Sequence, residues 1–196
     1  MESENLFEPG KVRLYSGKYI DVTNLTEDDI CLEDIAHALA LKCRWNGNTQ
    51  SFFSILSHSM LVQSLLHDSS YTIEALLHDA HEAYLFDIPA PYKTLEPFKP
   101  LVELENKIQE IINTKYGVVT CSTTDVKQAD LAALRLEWNS CMLSNRLKSN
   151  SNVLESKRQF FKLFIEAYYQ FKDPDNTIVY RELQAIIKKY SLHNSF

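Results

Sequence analysis

Hydrophobic positions along this chain recur mainly at three- and four-residue intervals, which predicts helices. Leu32, Ile35, Ala36, Leu39 and Cys43 fall on one face of a helix packed against a core. Thr26, with Asp29 three residues later, reads as its start, and Arg44-Trp45-Asn46-Gly47 as the turn that ends it. Further helices are expected over residues 51–67, 72–86, 101–116, 125–147, 155–172 and 178–192. Gly117 reads as the stop of the fourth helix, Asp125 as the cap of the fifth, and Asp173-Pro174 as the interruption before the last. Residues 12–22 instead read as two short strands around Ser16-Gly17, a hairpin. Residues 87–100 hold four prolines and are expected to form an extended, rigid loop. Residues 1–196 are thus read as one all-α domain: a β-hairpin at about 12–22, a core at about 31–147 and C-terminal helices at about 155–192.

Composition narrows the class. The chain is 45% hydrophobic and 23% charged, as an ordinary globular protein is, and its 4 glycines and 6 prolines disfavour a turn-rich all-β fold. A net charge of −6 with no long Lys/Arg run speaks against long nucleic acid as a partner, whereas a small phosphorylated ligand needs only a few placed cations. No apolar run reaches the ~18 residues of a membrane span. Residues 1–10 carry three glutamates and no apolar stretch, unlike a signal peptide. The four cysteines are widely spaced, so reduced thiols and a cytoplasmic location are expected.

Three groups of polar residues could carry chemistry. His58 shares the apolar stripe of Ile55, Val62 and Leu65, so it points inward. Taken alone, such a residue is more often a core histidine with one hydrogen-bond partner. If residues 72–86 are one helix, His78, Asp79 and Glu82 share an arc of about 100°, apart from the arc of Ile73, Leu76, Leu77, Ala80, Ala83 and Tyr84. Such an arc is usually solvent-facing polarity, yet imidazole and carboxylate are also the ligands of Zn²⁺, Co²⁺, Mn²⁺ and Fe²⁺. Asp130 stands at the margin of the stripe Leu131, Leu134, Trp138 and Cys141. A carboxylate at a buried margin calls for a cation, a metal or Lys127, although favourable placement near the helix N-terminus accounts for it equally well.

The order His58, then His78-Asp79, then Asp130 resembles the HD superfamily of metal-dependent phosphohydrolases. The resemblance runs from about Lys18 to Trp138 and includes Arg44-Trp45-Asn46-Gly47, the residues around His58, the stretch from Leu76 to Ala83, Asp87-Ile88-Pro89, and Val126-Lys127-Gln128-Ala129-Asp130. A bare His-Asp pair means little. His67-Asp68 is a second one, rejected because it ends its helix and lacks the downstream glutamate and Asp-Ile-Pro loop. Together these motifs are similar to the branch holding 5′-deoxynucleotidases and short phage-type deoxynucleoside triphosphohydrolases.

That resemblance implies a single helical HD domain whose His58, His78, Asp79 and Asp130 hold one divalent metal, Zn²⁺, Co²⁺ or Mn²⁺, with Mg²⁺ an alternative at a phosphate site. It implies Glu82 as the proton-handling carboxylate and Asp87 as a contact to sugar or water. Arg44, Lys93 and Lys127 are implied as phosphate contacts, and Trp45 as the aromatic beside the deoxyribose or base. His37 and His81 are read as structural or supporting. Asn48 departs from the pattern, standing where many relatives have His in a Gly-His-Thr string. The expected activity is hydrolysis of a deoxynucleoside triphosphate, dATP first among them, by a cytoplasmic homo-oligomer. A 5′-deoxynucleotidase acting on monophosphates is the alternative, and a non-catalytic nucleotide sensor the reading from another class.

Overall fold

The computed structural model describes residues 9–150, 152–172 and 176–192. The chain opens on a hairpin in which β1 (Lys11–Arg13) pairs antiparallel with β2 (Tyr19–Asp21), Val12 opposite Ile20. Gly17, at φ +92°, makes the turn, as expected from Ser16-Gly17. Eight α-helices follow among the described residues: α1 (Leu32–Leu41), α2 (Ile55–Ser64), α3 (Thr72–Leu77), α4 (Ala90–Lys93), α5 (Lys99–Lys115), α6 (Thr124–Glu137), α7 (Val153–Phe171) and α8 (Thr177–Tyr190). The expected interruption at Asp173-Pro174 lies outside the described residues. No helix among them is long and apolar enough to cross a membrane.

Helix α7 forms the centre. It packs on α1, α2, α3 and α8, and Phe160, Phe161, Phe164, Ile165 and Tyr168 on it are buried. They join one contiguous cluster running from Leu14 in the hairpin to Leu192 beyond α8. A smaller cluster of Val62, Ala75, Val126, Ala129 and Ala133 holds α6 against α2 and α3. Small residues at this second contact let the backbones approach closely, which brings His58, His78 and Asp130 together.

Several expected elements are differently bounded. Thr26 and Asp29 do pair, with Asp29 Oδ2 accepting from Thr26 N at 2.9 Å, but they cap only the 3-10 turn Glu27–Asp29. The helix restarts at Leu32 because other parts of the chain satisfy its entry: Cys31 N donates to the Tyr84 hydroxyl and Leu32 N to Glu182 Oε1. The second helix begins at Ile55, capped by Ser54, because Cys43 and Ser54 form a β-bridge that keeps the preceding residues extended.

The third helix stops at Leu77, and Ala80–Ala83 forms a 3-10 turn, so the expected helix over 72–86 is broken in the middle of the motif. In a continuous helix His81 N would donate to Leu77 O. Here the Gln109 side chain takes both partners, its Oε1 accepting from His81 N at 3.2 Å and its Nε2 donating to Leu77 O at 3.0 Å. An amide inserted into the ladder explains the break.

Residues 87–100 are not extended either. Pro91, Pro97 and Pro100 occupy first-turn positions of α4, of the 3-10 turn Glu96–Phe98 and of α5, where a missing N–H costs nothing, and Pro89 is the N-cap residue of α4. Helix α5 then ends as expected, with Gly117 at φ +65° and Val118 N reaching back to Asn113 O at 2.9 Å. The cap of α6 is Thr123, which accepts from Val126 N, while Asp125 accepts from Asp68 N. Of the stripe expected to be buried on this helix, Leu131, Leu134 and Trp138 are exposed and only Cys141 is buried; the inward face is Val126, Ala129, Ala133 and Glu137.

Candidate metal centre

The break after Leu77 decides how the motif is presented. His78 sits in helical conformation at the end of α3, whereas Asp79, at φ −108° and ψ 18°, has left it. Both side chains can then approach His58 on α2. His58 Nε2 lies 3.1 Å from His78 Nε2, 3.2 Å from Asp130 Oδ1 and 3.6 Å from Asp79 Oδ2. His78 Nε2 is 3.2 Å from Asp79 Oδ2 and 3.9 Å from Asp130 Oδ1. Ligand atoms of His58, His78 and Asp130 all lie within 4.8 Å of one another, a spacing that could hold a metal ion; Asp79 stands beside this compact triad and touches both histidines. The cluster opens toward solvent at Asp130, whose side chain is 41% exposed against 0% for His58.

The outer nitrogens of both imidazoles are committed. His78 Nδ1 lies 2.8 Å from the Ala75 carbonyl, which can only accept, so Nδ1 carries a proton. His58 Nδ1 lies 2.5 Å from Glu137 Oε1. With both Nδ1 atoms donating, neutral rings present two Nε2 lone pairs to each other and to two carboxylates. Only a proton or a cation between them makes that arrangement favourable. Two imidazoles and the Asp130 carboxylate are ligand types that could hold a metal ion there. The charge balance agrees: burial opposes ionisation of Asp79, yet His78, His58 and Arg44 hold its carboxyl well below the usual range. Burial likewise works against a charged His78, but Asp79, Asp130 and the Ala75 carbonyl push it up to about 9.

Glu137 escaped the sequence analysis. Its side chain is fully buried, and besides His58 it accepts from Trp45 Nε1 at 3.1 Å and faces Arg44 Nε at 3.4 Å. The only sequence signal was its place seven residues after Asp130, two helical turns along one face. Arg44 is also 3.7 Å from Asp79 Oδ2, so its guanidinium lies at the cluster. Trp45 and Asn46 are both left-handed, at φ 57° and 49°, and Asn48 ties that turn by donating Nδ2–H to Trp45 O. A tryptophan in this conformation carries a strain of roughly 1–3 kcal/mol, offset here by the indole bond to Glu137.

Glu82 is buried and its Oε2 has no hydrogen-bond partner. Burial, then Asp79 and Asp87, pushes its carboxyl up to about 10, against the pull of Arg44 and Lys93. Burial also raises Asp87, with Arg44 opposing and Asp79 assisting. Lys42, which the sequence analysis passed over, donates to the carbonyls of Glu82, Ala83 and Leu85 and so fixes the turn that carries Glu82. Lys93 is bound to Glu105 at 2.9 Å at the edge of the site. Lys127 is exposed on α6 and is not brought into the cluster by any described contact. His81 is held by Gln109, and His37 stacks on Tyr15 with ring centroids 3.7 Å apart.

No protein-family model matches the chain. Among curated proteins it is 40% identical over 126 residues to the "Uncharacterized protein YfdR" of Escherichia coli, an alignment covering 64% of this chain and 69% of that protein. The chain belongs to the YfdR family. A second relative, an uncharacterized protein of Rhodobacter capsulatus, is 34% identical over 137 residues, again 64% of this chain and 69% of the relative. Neither name states an activity, and what this YfdR-family chain can do chemically lies in its side chains. They provide two oriented imidazoles and a carboxylate that could hold a metal ion, a second carboxylate and a guanidinium beside them, and a buried carboxyl whose pKa is pushed up to about 10.

Proposed function

We propose that this chain is a metal-dependent phosphohydrolase of the HD type acting on a small deoxynucleotide, a deoxynucleoside triphosphate such as dATP in preference. The observation that carries the reading is the pair of Nε2 atoms 3.1 Å apart whose rings both donate Nδ1–H outward, with Asp130 and Asp79 beside them. His58, His78, Asp79 and Asp130 would hold the ion. A divalent metal there supplies Lewis acidity toward a phosphoryl oxygen and makes water a better nucleophile.

The chain's own groups take the remaining tasks. Arg44 offers planar N–H donors to phosphate oxygens, a geometry that a lysine does not match. Glu82, whose buried carboxyl has its pKa pushed up to about 10, would pass a proton to the departing oxygen or orient water. Asp87, which shares the fields of Arg44, Asp79 and Lys93, would contact the sugar or water. Lys93 contributes positive potential at the rim while bound to Glu105.

The deciding assay incubates the protein with Mn²⁺, Co²⁺ or Zn²⁺ and a panel of dNMPs, dNTPs and rNTPs. Release of triphosphate from dNTPs is expected. Inorganic phosphate from dNMPs would move the activity to a 5′-deoxynucleotidase. Tight nucleotide binding with no product under any metal would refute hydrolysis and leave a sensor.

A further inference from the structure

The exposed ridge of α6 leads from the candidate metal centre to a second feature. Asp130, Leu134 and Trp138 are spaced four residues apart, so they lie on one face at steps of ~6 Å. Asp130 is the solvent-exposed member of the ligand cluster. One turn further, Trp45, Leu134, Arg135, Trp138 and Asn139 line an open hollow of about 260 Å³. Its floor is mainly aromatic and aliphatic: the Trp45 and Trp138 rings lie 5.7 Å apart at 55°. Arg135 and Asn139, both exposed, supply polar groups at the rim.

Large apolar side chains gathered into one exposed patch need a reason. Trp138 is 47% exposed and Leu134 37%. Trp138 begins a π-helical turn, Trp138–Met142, a distortion found disproportionately at functional sites. Trp45 stands in the hollow on a left-handed backbone, and its indole donates to the Glu137 carboxylate that also holds His58. The hollow is therefore anchored to the ligand cluster twice, along α6 and through Glu137. At about 260 Å³ it is below the ~300–1,000 Å³ that encloses a whole drug-sized ligand, and so suits one flat ring system.

We propose that this hollow is the base-binding subsite, in which the nucleobase of the substrate stacks on Trp138 and Trp45 beside Leu134 while its phosphates lie at the His58, His78, Asp130 cluster. It rests on the deoxynucleotide reading above and adds Trp138, Leu134, Arg135 and Asn139 to it. Stacking on aromatic rings accepts any base, so discrimination between bases falls to Arg135 and Asn139. Arg135 offers only donors, whereas Asn139, whose Nδ2 donates to the Arg135 carbonyl, presents its amide oxygen as an acceptor.

The chain's two tryptophans are both in the hollow, so its tryptophan emission, excited selectively over its 10 tyrosines, reports on this site. Titration with deoxyadenosine and deoxycytidine, which carry no phosphate, should quench emission saturably, with or without chelator. Trp138→Ala removes an exposed side chain and should fold; it should weaken nucleoside binding about 5- to 100-fold, as loss of one stacking partner does, while Trp138→Phe recovers most of it. The effect of Trp138→Ala on turnover should fall on KM rather than kcat. Quenching without hydrolysis of any nucleotide would sustain the base subsite and refute the phosphohydrolase. Hydrolysis with no nucleoside quenching and an unchanged KM in Trp138→Ala would do the reverse. If emission instead changes with protein concentration, alongside a shift in sedimentation that Trp138→Ala abolishes, and nucleosides have no effect, the ridge joins two copies and the proposal is overturned.

Discussion

Replacing Glu137 with glutamine tests whether one buried carboxylate organises the candidate centre. Glu137 receives His58 Nδ1–H at 2.5 Å, Trp45 Nε1–H at 3.1 Å and the Arg44 Nε–H side at 3.4 Å. Three donors converge on two oxygens. Glutamine keeps the shape but offers one oxygen, and its NH₂ group is itself a donor. At least one of the three N–H groups then faces another donor in a site without water access, unless His58 moves its proton to Nε2 and so gives up the lone pair that would face a metal. A hydrogen bond to a charged group is worth about 1.5–3 kcal/mol, and an unsatisfied buried partner costs a similar amount, so Glu137→Gln should destabilise by about 2–4 kcal/mol. For a chain of 196 residues, at about 2–4 °C per kcal/mol, that lowers the melting temperature by about 5–15 °C. His58 also loses the partner that holds its ring and makes it a better ligand, so metal affinity should fall about 10- to 100-fold. Thermal melts of chelator-treated protein read the first effect, and competition with a chromogenic chelator for Co²⁺ or Zn²⁺ reads the second. Melting unchanged from wild type, with metal affinity within about twofold, would refute the argument, because the expected loss is well outside that window.

Four further outcomes follow from the same structure. Glu82→Gln should retain metal and substrate affinity and lose roughly 10²- to 10⁴-fold in turnover; loss of metal instead would make Glu82 a ligand, and an unchanged rate would leave it structural. Gln109→Ala removes the amide that joins His81 N to Leu77 O. It should cost about 1–3 kcal/mol, read by denaturant titration, and a neutral result would mean the helix simply closes. Thr123→Ala should destabilise by about 0.5–2 kcal/mol through the lost α6 cap, and Asp125→Ala by less; the reverse order in melts would restore Asp125 as the cap. Glu33 accepts from Lys189 Nζ and the Tyr190 hydroxyl. Burial works against its charge, but Lys189, Tyr190 and Lys157 hold its pKa below the usual glutamate value. A depressed folded-state pKa contributes stability above the unfolded-state value and loses it as pH falls through the folded one. Glu33→Gln should therefore be less stable than wild type at neutral pH, and the gap should close in acid; a gap that persists there would exclude an electrostatic origin.

The amino-acid pattern alone carried most of the architecture. Helical periodicity located the long helices, because each buries one face and that face is written at a fixed spacing, and the Ser16-Gly17 turn located the hairpin. The same logic placed His58 inside, since a residue on an apolar stripe has nowhere else to point. The pattern failed where side chains distant in sequence replaced local hydrogen bonds. Nothing near residue 80 announces that Gln109, 28 positions away, will split the third helix and set His78 and Asp79 at a new angle. The prolines of residues 87–100 suggested an extended loop, yet proline tolerates the first turn of a helix as readily, and only packing chose between them. Helix α6 is the sharpest case. Its leucines and Trp138 look like the buried face, but the close contact with α2 and α3 admits only small residues, so Ala129 and Ala133 go inward and the large side chains stay outside. That choice also buries Glu137, whose charge is tolerable only because His58, Arg44 and Trp45 arrive from two other segments to meet it. The sequence could supply the candidate ligands, but it could not show the carboxylate that orients them, because its partners exist only once α2, α6 and the Arg44–Gly47 turn have come together.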